Sequence, residues 1–184
     1  MRAVLVAAVI VVCGVAIHAA EDPATTEKRV QRGKYLADTM GCQDCHSPKI
    51  FSPEGIPHPD ESKAYSGHPG SKLPAVDPKS LAPGNWYLMS PDLTAYAGPW
   101  GISYAVNITP DEQTGIGLWT EEIFLQAIRT GKHMGNGRPI LPPMPWPYYR
   151  NLSDEDLKSL FAYLKSLPPV KNAVPAPVAA ADLQ

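Results

Sequence analysis

Three stretches of the chain carry apolar residues at the spacing of a helix that buries one face. In the last of them the apolar residues recur three or four positions apart, at Leu157, Leu160, Phe161 and Leu164. This spacing places all four side chains on the same helical face. Ser153 precedes the stretch and is a preferred N-cap residue, while Pro168 and Pro169 follow it and cannot continue a helix. The pattern predicts a helix between these signals.

The other two stretches have similar signals at their ends. One runs from Asp22 to Gly41, and its small or apolar residues are Val30, Gly33, Ala37 and Met40. The other runs from Thr120 to Gly131, and its apolar residues are Ile123, Phe124, Ala127 and Ile128. Aspartate and threonine are preferred N-cap residues, and glycine is typical of a helix C-terminus. We therefore predict three helices.

Residues 47–106 show neither a helical nor a strand period over any sustained length. They are rich in proline, which fixes φ and removes a backbone donor, and the whole chain has 21 prolines. Several aromatic residues indicate that the segment is ordered, namely Trp86, Tyr87, Tyr96, Trp100 and Tyr104. The pattern predicts a long irregular insertion, followed much later by a flexible or polyproline II tail at residues 171–184. We interpret His58 and His68 as surface residues.

Residues 1–20 are typical of an export segment. Residues 3–17 are apolar or small, with Arg2 before them and acidic residues directly after Ala20. As a helix, residues 3–20 would reach about 27 Å, which is at the short limit for a hydrocarbon core of about 30 Å. Two interpretations stay open: a signal peptide that is cleaved, and an anchor that is retained in the inner membrane. Both predict a periplasmic protein.

The composition allows one domain of ordinary size. The chain has 184 residues, of which 44% are hydrophobic, so it can bury one core, and we place this domain at residues 21–170. The formal net charge is -2, and the basic residues form no run beyond isolated pairs. This balance argues against a nucleic-acid partner. The sequence shows no acid–base pair and no nucleophile with a nearby base.

The segment GCQDCHSP, at residues 41–48, holds the only two cysteines outside the export segment. A zinc site would need four ligands, and adjacent Cys45 and His46 cannot easily share one tetrahedral ion. A thioredoxin-like disulfide would need Cys-x-x-Cys beside a β-α-β pattern, which we do not find around it. Covalent haem attachment accounts for the whole motif, because Cys42 and Cys45 can each bond one vinyl group while His46 binds the iron. We predict one covalently attached haem c.

The residue on the other side of the iron decides what such a haem can do. Met144 is the favoured sixth ligand, because four prolines lie within three positions of it and hold the segment in one conformation. A thioether raises the reduction potential of the iron relative to ligation by two histidines. His133 and Met134 are the alternative ligands. An open position would instead indicate a gas-binding or peroxidatic haem.

Four segments together resemble the monohaem class I cytochromes c, and specifically the exported cytochrome c proteins and subunits that accept electrons from dehydrogenases. They are RGKYLADTMGCQDCH at 32–46, NITPDEQTGIGLWTEEIFLQAIRTGKHM at 107–134, RPILPPMPW at 138–146 and LSDEDLKSLFAYLKSLPPV at 152–170. The resemblance covers less than half of the chain. It implies an all-α cytochrome c fold, with helices around one covalently bound haem and the insertion at 47–106 between them.

The resemblance also implies roles for single residues. The first and last helices would cross near the haem, with Gly33 as the small residue at the crossing and Phe161 or Tyr163 as the aromatic one. Asn107 would bind the cofactor along the haem edge or at its propionates. The alternative for Asn107 is an ordinary turn that begins there and ends at Pro110.

These features predict an electron carrier outside the cytoplasm rather than an enzyme. Its partners would be a donor dehydrogenase and an acceptor oxidase or reductase. The first alternative is a haem-bearing subunit that docks through residues 47–106 onto a dehydrogenase, an oxidase or a photosynthetic complex. The second alternative, which we favour less, is a gas-binding or peroxidatic haem protein.

Overall fold

The computed structural model describes residues 22–71, 73 and 75–183. The predicted signal peptide or anchor at residues 1–20 lies outside the described residues. Within them, no helix has both the length and the apolar character needed to cross a membrane. The α-helices of the described part are α1 (Pro23–Thr39), α2 (Cys42–His46), α3 (Glu121–Thr130), α4 (Trp146–Tyr149) and α5 (Asp154–Ser166).

The three helices predicted from the sequence, α1, α3 and α5, are confirmed. α5 begins after Ser153, whose side chain accepts a hydrogen bond from the backbone N–H of Asp156. α3 begins after Thr120, whose hydroxyl accepts one from the backbone N–H of Ile123. α1 follows Asp22, but the Asp22 side chain makes no capping hydrogen bond. Local signals in the sequence therefore located all three helices, and two of the three predicted side-chain caps are present.

α1 and α5 approach each other closely where Gly33 faces Ser159. A Cβ atom at Gly33 would lie 1.9 Å from the backbone oxygen of Ser159 and 2.7 Å from the Cβ atom of Tyr163. No side chain fits in this gap, so the predicted small residue at the helix crossing is confirmed. Tyr163 is the aromatic residue at this point, whereas Phe161 packs against Phe124 with 5.2 Å between the ring centroids.

One hydrophobic core lies between these three helices. Its buried residues are Leu36, Ala37, Tyr65, Ile116, Phe124, Ile128, Leu157, Leu160, Phe161 and Leu164. All four apolar residues predicted for the buried face of α5 are among them. The helical periodicity of the sequence therefore identified the core-facing side of α5 correctly.

The all-α prediction is wrong, because the described residues also form two antiparallel sheets. β1 (Lys49–Phe51) and β2 (Pro57–Pro59) form a hairpin. A second sheet has the strand order β3-β4-β5-β6, and its strands are Leu88–Met89, Ala95–Gly98, Gly101–Tyr104 and Val178–Ala179. Strands this short give no recognisable alternation of apolar and polar residues. The insertion at 47–106 is therefore not irregular throughout, since it contains five of these strands.

The last strand comes from the tail that the sequence predicted to be flexible or in polyproline II conformation. β6 pairs with the start of β5 in the antiparallel sense. Gly101 has φ 102°, and a Cβ atom there would lie 2.0 Å from the backbone oxygen of Val178, so only glycine fits at this position. The β6 part of the tail thus pairs with the insertion, although the two are far apart in sequence.

His68 is buried, so its interpretation as a surface residue is wrong. Its side chain is completely inaccessible to solvent. Nδ1 lies 2.8 Å from the hydroxyl oxygen of Thr94, and Nε2 lies 3.3 Å from the backbone oxygen of Ser71. The ring also packs against Tyr104. Both nitrogens have partners, so the burial leaves no polar group unsatisfied. His58 on β2 is exposed, as interpreted.

Candidate haem site

The Cys-x-x-Cys-His motif lies on α2, which follows α1 after one sharp turn. Gly41 makes this turn with φ 68°, in the left-handed region that favours glycine. Cys42 and Cys45 are three residues apart on α2, so their side chains project from neighbouring positions on one helical face. Neither cysteine is in a disulfide, and both are partly buried. Both thiols are therefore available for a covalent bond.

The two thiols lie in different surroundings. Cys42 packs against the hydrophobic core, and burial raises the pKa of its thiol to about 12, so this thiol is protonated at neutral pH. The sulfur of Cys45 lies 3.0 Å from the hydroxyl oxygen of Tyr96 on β4. Tyr96 donates its own proton to the backbone oxygen of Leu93 at 2.6 Å, so the Cys45 thiol is the donor in this contact. A strand of the insertion thus lies directly beside the attachment motif.

The His46 ring is buried, and one of its two nitrogens already has a partner. Nδ1 lies 2.7 Å from the backbone oxygen of Val106. A carbonyl oxygen can only accept a hydrogen bond, so Nδ1 carries the proton and Nε2 keeps a lone pair. None of the described residues forms a hydrogen bond with Nε2. This is the orientation that metal-binding histidines typically have.

The surroundings of His46 also keep its ring neutral. Burial lowers the pKa of His46, because the charged imidazolium would lose its hydration, while the hydrogen bond to Val106 opposes this change. A neutral ring is required, because only the neutral imidazole has a lone pair to offer to a metal ion. His46 is therefore prepared, in both orientation and protonation, to bind iron through Nε2.

Met144 lies in the methionine strap, which we define as residues 138–146. Its side chain is partly buried and packs against the hydrophobic core that Cys42 also contacts. At the end of the strap, the Trp146 ring rests on the backbone of Gly131, where a Cβ atom would lie 2.3 Å from the indole. The structure thus brings Met144 and Cys42 to the same apolar cluster.

The two alternative sixth ligands lie on one short 3-10 turn, His133–Gly135. Met134 is 45% exposed and has φ 53°, in the left-handed region. His133 packs edge-on against Trp119, with 5.3 Å between the ring centroids, and burial lowers its pKa. Met144 is the less exposed of the two methionines. Its assignment as the sixth ligand stays a prediction.

Asn107 is buried, and both polar atoms of its side chain form hydrogen bonds within the protein. Its amide nitrogen donates to the hydroxyl oxygen of Thr114 at 3.0 Å and to the backbone oxygen of Val170 at 2.7 Å. Its side-chain oxygen accepts from the backbone N–H of Thr109 at 2.9 Å and from the Thr109 hydroxyl at 2.8 Å. The bond to the Thr109 backbone is typical of the turn that was the alternative for this residue. The contact of Asn107 with the haem stays a prediction, and it would require one of these bonds to be exchanged.

Several known proteins similar to this chain are subunits of dehydrogenases. The gluconate 2-dehydrogenase cytochrome c subunit of Pantoea cypripedii is 33% identical over 153 residues, which are 83% of this chain and 26% of that subunit. The cytochrome c subunit of an alcohol dehydrogenase (quinone) of Gluconobacter oxydans is 29% identical over 157 residues, 85% of this chain and 25% of that subunit. The chain is homologous to the cytochrome c subunits of dehydrogenases.

The homology to cytochrome c subunits confirms the resemblance inferred from the sequence and extends it over most of the chain. A third relative, the fructose dehydrogenase cytochrome subunit of Gluconobacter japonicus, is 33% identical over 135 residues, and the match covers 73% of this chain and 20% of that subunit. No family model matches the chain. The chain spans about a quarter of the length of the cytochrome c subunits that it matches.

The site fits the covalently attached haem that homology to cytochrome c subunits implies. Cys42 and Cys45 supply two thiols outside any disulfide, and His46 supplies an unbonded ring nitrogen. Tyr65 belongs to the cluster that Cys42 contacts, and its buried hydroxyl has no hydrogen-bond partner among the described residues. Among the residues that the structure describes, no group of three or more His, Cys, Asp or Glu side chains is placed to hold a metal ion.

Three contacts at this candidate haem site were not predicted from the sequence. Val106 orients His46 through its backbone oxygen, and a backbone carbonyl gives no signal in the sequence. Tyr96 contacts Cys45 across 51 residues of chain. Ser103 donates a hydrogen bond to the methionine strap from the same insertion. The high density of aromatic residues in the insertion was the one available signal that this segment packs against something.

Proposed function

We propose that this homologue of cytochrome c subunits transfers electrons through one covalently attached haem. Cys42 and Cys45 would form thioether bonds to the haem, and His46 and Met144 would bind its iron. The observation that carries the proposal is the His46 ring, which is buried, neutral and fixed by Val106 with Nε2 unbonded. When bound, a six-coordinate haem supplies one-electron redox chemistry without a change of ligand.

The protein's own residues contribute orientation and the exclusion of water. The hydrogen bond from His46 to the Val106 oxygen prevents rotation of the ring, so the ligand needs no reordering between oxidation states. The prolines around Met144 restrict the strap in the same way. The hydrophobic core beside Cys42 and Met144 keeps this side of the site dry, which raises the reduction potential by disfavouring the charged oxidised state.

The partners and location are part of the same proposal. Because the similar proteins are named as subunits of dehydrogenases, we infer a dehydrogenase as the electron donor. An oxidase or reductase would then accept the electron, and the chain itself would catalyse no reaction. The apolar leader at residues 3–20 and the thioether attachment favour the periplasm, with or without a retained anchor in the inner membrane.

A spectroscopic redox titration tests this proposal. The absorption spectrum of the purified protein is recorded while the potential is stepped in both directions. We expect a single reversible transition in which the ratio of the two oxidation states changes tenfold for each ~59 mV, as a one-electron couple requires. We also expect no carbon monoxide adduct of the reduced protein. Ready binding of carbon monoxide would instead support the gas-binding or peroxidatic alternative.

An exposed aromatic patch favours a second function, that of a docking subunit. The patch consists of residues 86–89, and its last two residues form β3, which is an edge strand of the four-stranded sheet. Trp86 is 79% exposed, Tyr87 69% and Met89 65%. Contiguous large apolar side chains at the surface are typical of protein interfaces, where Trp and Tyr are enriched. We infer that this patch contacts the donor dehydrogenase.

Removing two rings from the patch tests the docking role. The double variant Trp86→Ser/Tyr87→Ser should raise the Kd for a dehydrogenase that reduces the wild-type protein by at least about tenfold, because aromatic residues dominate interface energies. Binding is measured by surface plasmon resonance with the haem-loaded proteins. Tyr35→Ser is the control, since Tyr35 is 58% exposed but lies on α1, outside the insertion. Equal Kd values for all three proteins would exclude the patch as the docking site.

A further inference from the structure

A side chain of the insertion is hydrogen-bonded directly to the methionine strap. Ser103 on β5 is buried, and its hydroxyl oxygen lies 2.6 Å from the backbone oxygen of Pro142, two residues before Met144. The indole N–H of Trp100 lies 3.2 Å from the same hydroxyl oxygen. A carbonyl can only accept and an indole N–H can only donate, so the hydroxyl proton of Ser103 points to Pro142.

This hydrogen bond has no substitute within the strap. Prolines at 142, 143 and 145 have no N–H, so this part of the strap offers few donors with which to hold itself in place. Among the described residues, the bond from Ser103 is the only hydrogen bond made by residues 141–144. The next bonds on either side are made by Ile140, which donates to Gly131, and by the Pro145 carbonyl.

The same sheet also contacts the haem-attachment helix. Tyr96 on β4 is the direct cross-strand partner of Ser103. Side chains of directly opposed residues lie on the same face of a sheet, about 5 Å apart at their Cβ atoms. Tyr96 reaches the Cys45 sulfur, and Ser103 reaches the Pro142 carbonyl. One cross-strand pair therefore contacts both chain segments that the proposed function places at the haem.

We propose that Ser103 is a positioning residue for Met144. Its hydroxyl fixes the strap at Pro142 and would thereby hold the Met144 thioether where it can bind the iron, while Tyr96 on the same sheet contacts the attachment helix. The β4–β5 part of the insertion thereby has a structural role, because it contacts both the haem-attachment helix α2 and the methionine strap. The inference rests on the proposed function, because it requires Met144 to be the sixth ligand.

The variant Ser103→Ala tests this role in the haem-loaded protein. The readout is the sulfur-to-iron charge-transfer band of the oxidised protein, followed while the pH is raised until another ligand displaces the thioether. Loss of this partly buried hydrogen bond should increase the ratio of displaced to thioether-bound protein about tenfold at a given pH. For displacement linked to release of one proton, this moves the midpoint to a pH about one unit lower.

Two further variants separate this role from a general effect on packing. Ser103→Thr retains the hydroxyl and suits a β-strand, so it should restore the wild-type midpoint. Ser80→Ala removes another serine hydroxyl of the insertion, which donates to the backbone oxygen of Asp77 at 2.7 Å, and it should leave the midpoint unchanged. A midpoint in Ser103→Ala equal to that of wild type would overturn the inference. An equal shift in the alanine and threonine variants would overturn it too.

The failure of this inference is distinguishable from a failure of the proposed function. If the wild-type protein shows the charge-transfer band and the Ser103→Ala variant has the same midpoint, only the role of Ser103 is contradicted. A haem-loaded wild-type protein without the band contradicts ligation by Met144, and the role of Ser103 is then overturned with it.

Discussion

Replacing Met144 by alanine is expected to abolish the sulfur-to-iron charge-transfer band of the oxidised protein completely. The methyl side chain of alanine has no donor atom, and the proline-rich strap cannot easily bring another residue to the same place. The reduced variant should therefore bind carbon monoxide readily, which the wild-type protein should not. We also expect a lower reduction potential, because loss of the thioether removes a ligand that favours ferrous iron. Absorption spectra of both oxidation states provide the measurement.

Met134→Ala is the matched control for this experiment. Met134 is the alternative methionine ligand, and it is 45% exposed on the turn between α3 and the strap. We expect Met134→Ala to keep the band and to stay inert to carbon monoxide. Loss of the band in Met134→Ala with retention in Met144→Ala would transfer the ligand role to Met134. Retention of the sulfur band in both variants would contradict ligation by either residue.

Replacing Gly33 by alanine is expected to lower the free energy of unfolding by about 3 kcal/mol, as overpacking against rigid neighbours does. Helix propensity alone predicts the opposite sign, since alanine is more favourable than glycine inside a helix by about 1 kcal/mol. Packing should prevail here, because the new methyl group would lie 1.9 Å from the backbone oxygen of Ser159. A backbone atom cannot move aside as a side chain can, so α1 and α5 must separate.

Urea unfolding followed by circular dichroism measures this change. Lys28→Ala on the exposed side of α1 is the control, and such surface substitutions usually change stability by no more than about 0.5 kcal/mol. A Gly33→Ala variant as stable as the wild type, or more stable, would show that the helices do not approach as closely as the structure places them.

The helices were predictable from the sequence because their signals are local. Ser153 and Thr120 stand directly before α5 and α3, and the apolar residues of each helix repeat within a few positions. The strands were not predictable in this way. β5 has four residues and pairs with β6, more than seventy residues further along the chain, so no short window of sequence contains the pattern. The all-α expectation therefore failed where pairing is long-range.

The candidate haem site shows the same difference between local and long-range features of the sequence. Cys42, Cys45 and His46 form a contiguous motif whose chemistry is readable without a structure. The residues that orient and support it are distant in sequence, because Val106 acts through its backbone and Ser103 acts on Pro142 across 39 residues. Sequence patterns reveal which groups can bind a haem, but the fold decides which groups hold them in place.

Every role proposed for the other residues depends on the covalent attachment of a haem to Cys42 and Cys45, and the intact mass of the protein shows whether this attachment occurs. The wild-type chain and the double variant Cys42→Ala/Cys45→Ala are produced in a bacterium that attaches haem to its exported cytochromes, and both are measured after denaturation. We expect the wild-type mass to exceed that of the polypeptide by one haem, and the double variant to have the mass of the polypeptide alone. A wild-type protein with the mass of the bare polypeptide would show that no haem is attached and would overturn the proposed function.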